Sequence, residues 1–296
     1  MKTALVLSGG GAKGAFQAGA IEELAERGFE FQSVAGVSVG ALNGVMVAAN
    51  RIDRMIDIWQ TITEGDVLKK RSILRLLSKL GWYRLGLGSP PKSIYSNDPL
   101  FDLLKREFRD IELKMPLVIG RVDLRTGEYI NTISPQASDF TKEVLASTAI
   151  PVIWDPVKID GGLLVDGGIR NMTPLKDVIK NQPDRIVVIT TRPLGGQIKD
   201  KSIRSIIDIA ERSLDILLDE IFLEDLKRCM QINRLVLQAE EQGITLKSES
   251  GEPLKYYELI IIEPPEPLGG TLNFDRVNLN RLLFLGREAV QKKLKS

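Results

Sequence analysis

The chain has 296 residues, 43% of them apolar and 27% charged, which is long enough for one large α/β domain and ordinary in composition for a globular protein. Its 40 basic and 39 acidic side chains nearly cancel, so overall charge gives no reason to expect a nucleic-acid partner. A single cysteine, Cys229, excludes an intrachain disulfide and offers no metal cluster, and the complete lack of histidine excludes any imidazole-based triad; no metal or cofactor is expected.

Residues 3–7 form a β-rich run that enters a glycine turn, and 16–27 carry a helical period through Ala20, Ile21 and Leu24 until Gly28. Residues 29–35 read as a second strand and 41–49 as the helix after the next turn. Strand, turn and helix repeated at this spacing predict an α/β core with parallel strands. Residues 52–113 are mainly helical, with a Gly/Pro break at 86–91. Strands are expected at 117–121 and 128–133, turning near Thr126-Gly127, then a helix at 140–148 ended by Pro151. A hairpin at 157–159 and 163–165, a buried strand at 185–191 and a long helix at 203–241 with at most one break come next. A strand at 258–262 and a closing helix at 277–294 complete the series, with no repeat and no linker.

The apolar run 4–7 is too short for a signal peptide. The longest mostly apolar stretch, 34–49, is interrupted by Gly36, Ser38, Gly40, Asn43 and Gly44, and suits a buried strand–turn–helix better than a membrane span. A cytoplasmic protein is expected, meeting membrane only at its surface.

Chemistry concentrates at three places. Gly36-Val37-Ser38-Val39-Gly40 places a serine between a strand and an apolar helix, where a tight glycine turn exposes a hydroxyl nucleophile. The alternative is a glycine-lined turn with Ser38 as a helix cap. Gly9-Gly10-Gly11-Ala12-Lys13-Gly14 follows the first strand and fits G-x-G-x-x-G. A dinucleotide site would want an acidic residue at the end of the second strand, yet that strand runs straight into the Ser38 turn and Glu30 stands at its beginning. A phosphate loop would want Lys-Ser/Thr where Ala15 follows Gly14. Successive glycines instead offer backbone N–H groups for an oxyanion, with Lys13 adding positive field or standing as a solvated charge.

A serine needs a base, and two Asp-Gly-Gly runs compete for the role. Asp160-Gly161-Gly162 lies between two short apolar runs, the hairpin-turn signal. Asp166-Gly167-Gly168 ends the second run, where the glycines let the chain bend and other backbone approach closely. A carboxylate fixed at a strand end is the better base.

These blocks resemble the patatin-like phospholipases, lipid acyl hydrolases. The glycine loop resembles that of the family, Gly36 to Asn43 its nucleophile elbow, and Ala146 to Pro151 with Asp166-Gly167-Gly168, Asn171 and Pro174 its second signature. The resemblance runs from about Leu5 to Asp177 and fades after about Pro193. It implies a three-layer α/β/α fold around a mostly parallel sheet, with 5–180 the catalytic core and 181–296 completing the same domain. It further implies a Ser38–Asp166 dyad without histidine, an oxyanion hole from the N–H groups of Gly10 and Gly11, and a lipid carboxylic ester as substrate, such as a phospholipid or lysophospholipid. An acyltransferase with the same dyad, or a non-catalytic nucleotide- or lipid-binding protein using the glycine loop, would be the alternatives.

Residues 67–97 carry Lys69, Lys70, Arg71, Arg75, Lys79, Arg84 and Lys92 with no acidic residue, and Ile73, Leu76, Leu77 and Leu80 lie at helical spacing before Trp82 and Tyr83. The segment reads either as a peripheral contact with anionic membrane or as a cap helix with its leucines on the core.

Overall fold

A computed structural model describes residues 1–90, 92–134, 140–195, 206–248 and 251–295. From the N-terminus the chain forms β1 (Thr3–Leu7), α1 (Gly14–Glu26), β2 (Ser33–Val37), α2 (Val39–Ala48) and α3 (Ile52–Thr61). A less regular stretch follows, with α4 (Glu64–Val67), β3 (Lys69–Lys70), α5 (Ile73–Arg84), β4 (Tyr95–Ser96) and α6 (Asp98–Phe108). Next come β5 (Leu117–Asp123), β6 (Tyr129–Ser134), α7 (Phe140–Ser147), β7 (Val157–Ile159) and β8 (Gly162–Asp166). The last elements are α8 (Leu175–Ile179), β9 (Arg185–Ile189), α9 (Ile206–Glu241), β10 (Glu258–Ile262) and α10 (Arg276–Lys293).

An eight-stranded sheet in the order β10-β9-β1-β2-β5-β8-β7, with β6 also on β5, is parallel from β10 to β5 and antiparallel beyond. Strand alternation divides the core. Leu5 and Leu7 of β1 face α1, α2 and α10, where Phe16, Ile21, Met46 and Leu283 pack; Ala4 and Val6 face Val178 of α8 and Phe222 and Leu226 of α9. Three layers, α/β/α, result. Helix α10 lies against α1 so closely that a Cβ on Gly19 would stand 2.0 Å from the Leu283 carbonyl, and one on Gly286 would stand 2.0 Å from that of Phe16.

Several element bounds and details differ from the sequence reading or refine it. The second strand occupies Ser33–Val37 rather than 29–35, because pairing with β1 begins at Ala4↔Ser33 and continues to Leu7↔Gly36. The mainly helical stretch 52–113 includes the antiparallel pair β3–β4. The long helix is a single unbroken element from Ile206 to Glu241, and its expected start at 203–205 lies outside the described residues. Among the described residues no helix is long and apolar enough to cross a membrane.

One detail of the topology positions the site. Strand β6 follows one edge of β5 from Leu117 to Val122, so β2 and β8 must share the other edge in succession. Gly120 stands opposite Val37, and the next residue, Arg121, stands opposite Asp166. The end of β2 and the end of β8 therefore meet.

Candidate active site

Ser38 occupies that junction with φ 55° and ψ −130°, a left-handed conformation rare outside glycine, and it is 5% exposed. Its hydroxyl does not cap α2, so the capping alternative is not what this turn uses. The turn closes only because its flanking residues lack side chains. A Cβ on Gly36 would lie 2.2 Å from the Gly40 carbonyl, and one on Gly40 would lie 2.3 Å from that of Leu7. The Ser38 N–H donates to Ser147 Oγ (2.9 Å), whose own hydroxyl donates to the Gly120 carbonyl (2.7 Å). The strained elbow is thereby pinned to β5.

Asp166, 4% exposed, is held from the same segment: its N–H donates to the Ala149 carbonyl at 3.0 Å. Residues 147–149 thus fix both Ser38 and Asp166. Burial pushes the Asp166 carboxyl up to about 7, opposed by the Gly168 N–H that donates to Oδ1 (2.7 Å) and by hydrogen bonding with the Ser38 side chain. Gly167 is closed in, since an added Cβ would stand 2.5 Å from the Gly120 carbonyl oxygen and 2.6 Å from Val37 Cγ2. Asp160 is elsewhere: exposed, with φ 46° followed by Gly161 at 79°, it forms the tip of the β7–β8 hairpin.

The glycine loop lies beside the serine; a Cβ added to Gly9 would come within 3.2 Å of Ser38 Cβ. The N–H groups of Ser8, Gly9, Ala12 and Lys13 donate to Ile189, Met172, Thr271 and Gly10 carbonyls. Among the described residues the Gly10 and Gly11 N–H groups donate to no backbone acceptor. Lys13 is 7% exposed, which removes the solvated-charge reading.

Several residues that hold this arrangement escaped the sequence reading. Thr191 N–H donates to Ser8 Oγ (3.0 Å), and its hydroxyl donates to the Gly9 carbonyl. The Thr271 carbonyl takes the Ala12 N–H at 2.8 Å and leaves no room for a side chain on Gly11, whose φ is +58°. Asp225 of α9 accepts the N–H groups of Met172 and Thr173 (3.0 and 3.3 Å), and the Met172 thioether packs on Gly9 and Gly168. No local pattern marks these residues; only their three-dimensional neighbours do.

A narrow cavity of about 50 Å³ opens at Ser38 and Gly11 and continues between apolar side chains, among them Trp59, Leu100, Leu103, Trp154 and Phe274.

Comparison with known proteins places the chain. A family model described as Patatin-like phospholipase matches residues 5–179. The uncharacterized protein YqhO of Bacillus subtilis is 30% identical over 229 residues, covering 69% of this chain and 76% of that protein. An uncharacterized NTE family protein of Mycobacterium tuberculosis is 28% identical over 192 residues, 64% of this chain; the alignment spans about half (49%) of the relative's length. VipD from Legionella pneumophila, a solved structure, covers 99% of this chain and 66% of its own at 16% identity and a TM-score of 0.50, a likeness of fold. The chain belongs to the patatin-like phospholipase family.

Proposed function

We propose that the protein hydrolyses carboxylic ester bonds of lipids, phospholipids or lysophospholipids, through Ser38 as nucleophile and Asp166 as general base and acid. The observation that carries this reading is a buried carboxylate beside a strained serine at the mouth of an apolar cavity. An acid pushed up to about 7 is well matched to proton transfer near neutral pH.

In the first step the Asp166 carboxylate takes the Ser38 hydroxyl proton as Oγ attacks the ester carbonyl carbon. The carbonyl electron pair moves to oxygen, and the N–H groups of Gly10 and Gly11 receive that oxyanion. Collapse expels the alcohol, which takes the proton from Asp166, and leaves the acyl chain on Ser38 within the apolar cavity. Water then gives its proton to Asp166 and attacks the acyl carbon; Ser38 leaves with that proton and the fatty acid is released. Residues 5–180 and 181–296 work as one domain in this scheme, a view supported by β9 and β10 extending the sheet and by Thr191 and Thr271 bracing the glycine loop.

The same reading includes peripheral contact with anionic membrane through residues 67–97. Leu77, Trp82, Tyr83, Leu85 and Leu87 are exposed there beside Lys69, Lys70, Lys79, Arg84 and Lys92. This favours the membrane over a cap helix buried on the core for those side chains. The arm joins the cavity rim, since Ile94 and Tyr95 N–H donate to the Val152 and Ile153 carbonyls and Arg71 pairs with Asp155.

Labelling by a fluorophosphonate probe tests the chemistry. Wild type should label at Ser38, Ser38→Ala should not, and Asp166→Asn should label far more slowly. An unlabelled, correctly folded wild type sinks the reading.

A further inference from the structure

Three buried side chains away from Ser38 and Asp166 form a closed set of hydrogen bonds. Gln17 of α1 is 0% exposed, Asn43 of α2 is 0% and Trp59 of α3 is 3%. Gln17 Nε2 donates to the carbonyls of Ser8 (2.8 Å) and Ile189 (3.3 Å). Asn43 Nδ2 donates to the Gly14 carbonyl (3.0 Å) and to Gln17 Oε1 (3.1 Å). Asn43 Oδ1 accepts from Trp59 Nε1 at 2.9 Å.

Every donor in the set has an acceptor, and both amide oxygens are used. Only one orientation of each amide satisfies it: turning Asn43 over would set its oxygen against two other oxygens and its N–H groups against the indole N–H. Such a network is rigid because any break leaves a buried polar group unpaired.

What it connects gives it a purpose. Ser8 immediately precedes the glycine loop and Gly14 immediately follows Lys13, so the relay holds both ends of the loop. Asn43 stands on the helix that Ser38 opens, and Trp59 forms part of the cavity wall. The Trp59 ring and Val39 also fill the space where Gly14 would carry a Cβ, at 2.8 and 2.3 Å.

Resting on the hydrolase reading, we infer that Gln17, Asn43 and Trp59 are positioning residues that keep the Gly10 and Gly11 N–H groups in register with Ser38. Trp59 then has two duties. Its ring lines the cavity, and its N–H anchors the oxyanion loop through Asn43. A misplacement of about 1 Å can cost roughly 100-fold in rate, so loosening one anchor should lower kcat by about tenfold.

The outer members allow a test without emptying the centre of the network. Trp59→Phe keeps an apolar ring and removes the N–H; Gln17→Met keeps length and removes the amide. For wild type, both single variants and the double variant, kcat is measured per fluorophosphonate-labelled site on p-nitrophenyl esters from acetyl to dodecanoyl, with Tm alongside. Each single variant should lose about tenfold in kcat on every ester, the acetyl ester included. The double variant should fall little further, because one relay can be broken only once. Unchanged kcat per labelled site, additive losses, or a loss confined to KM on long-chain esters would overturn the inference; the last would leave Trp59 as lining alone. A wild type that neither labels nor hydrolyses would overturn the hydrolase reading and this inference together.

Discussion

Asp160-Gly161-Gly162 and Asp166-Gly167-Gly168 are one tripeptide written twice, six positions apart on one hairpin. At the first, Asp160 and Gly161 both take positive φ, the side chain is exposed, and a Cβ at Gly161 would meet nothing within 4 Å. At the second, all three residues are buried and Gly167 lies against β5 and Val37. The first run turns the chain, and the second brings a carboxylate out of water beside Ser38. A residue's chemistry here is decided by its place on the sheet, since the two glycines that follow it are the same in both runs.

The largest effect should come from Asp166. Asp166→Asn should lower kcat/KM on an ester by about 10²–10⁴-fold, the usual range for loss of a general base. A folded Asp166→Asn protein with near-wild-type turnover would undo the distinction between the two runs.

Next come the glycines. Gly167→Ala forces a methyl group to 2.5 Å from a backbone oxygen in the middle of the sheet, and overpacking of this kind costs about 1–3 kcal/mol. Because β5 and Val37 must shift to admit it, activity should fall with stability. Gly161→Ala meets open space but must keep φ 79°, at about 1–2 kcal/mol, and should retain full kcat. Denaturant melts paired with initial rates separate the two; equal losses of kcat would erase the contrast.

The pH dependence sharpens the comparison further. Burial raises the Asp166 carboxyl to about 7, so activity needing the ionised form should rise through about pH 7. Stability should move the other way. The folded state holds this proton more tightly than the unfolded chain, whose ordinary carboxyl value is about 3.8. The stabilisation is complete below that value and is lost as pH rises through about 7. Asp166→Asn should flatten this part of the stability profile, measured as the denaturation midpoint against pH. A profile unchanged by the substitution would show that Asp166 is not the group responsible.

Much of this contrast could be read from the chain. The hairpin signal around Asp160-Gly161, the strand end at Asp166, the elbow at Ser38 and the parallel β/α succession all rest on local pattern, and the structure has each of them. What stayed hidden depends on contacts between distant segments. Ser147 bonding both Ser38 and Gly120 joins three parts of the chain. Thr191 lies past the last matching motif and Thr271 in the part of the sequence where family resemblance has faded, and a threonine or a backbone carbonyl has no periodicity to announce it. Lys13 was undecided for the same reason, because a lone lysine does not reveal its own burial.

The smallest effect is the most exacting for the comparison. Asp160→Asn makes the same chemical change as Asp166→Asn on the same tripeptide, so any difference between them must come from position. At φ 46° asparagine is among the residues best suited to the left-handed region, and Asn-Gly is a favoured pair for a two-residue hairpin turn. Among the described residues no hydrogen bond or ion pair engages the Asp160 side chain, so the substitution gives up no partner. Stability should therefore change by no more than about 0.5 kcal/mol, and kcat and its pH profile should match wild type. A loss of activity in a folded Asp160→Asn protein would mean that the hairpin tip takes part in the reaction, which its exposure on the far end of β8 from Ser38 argues against.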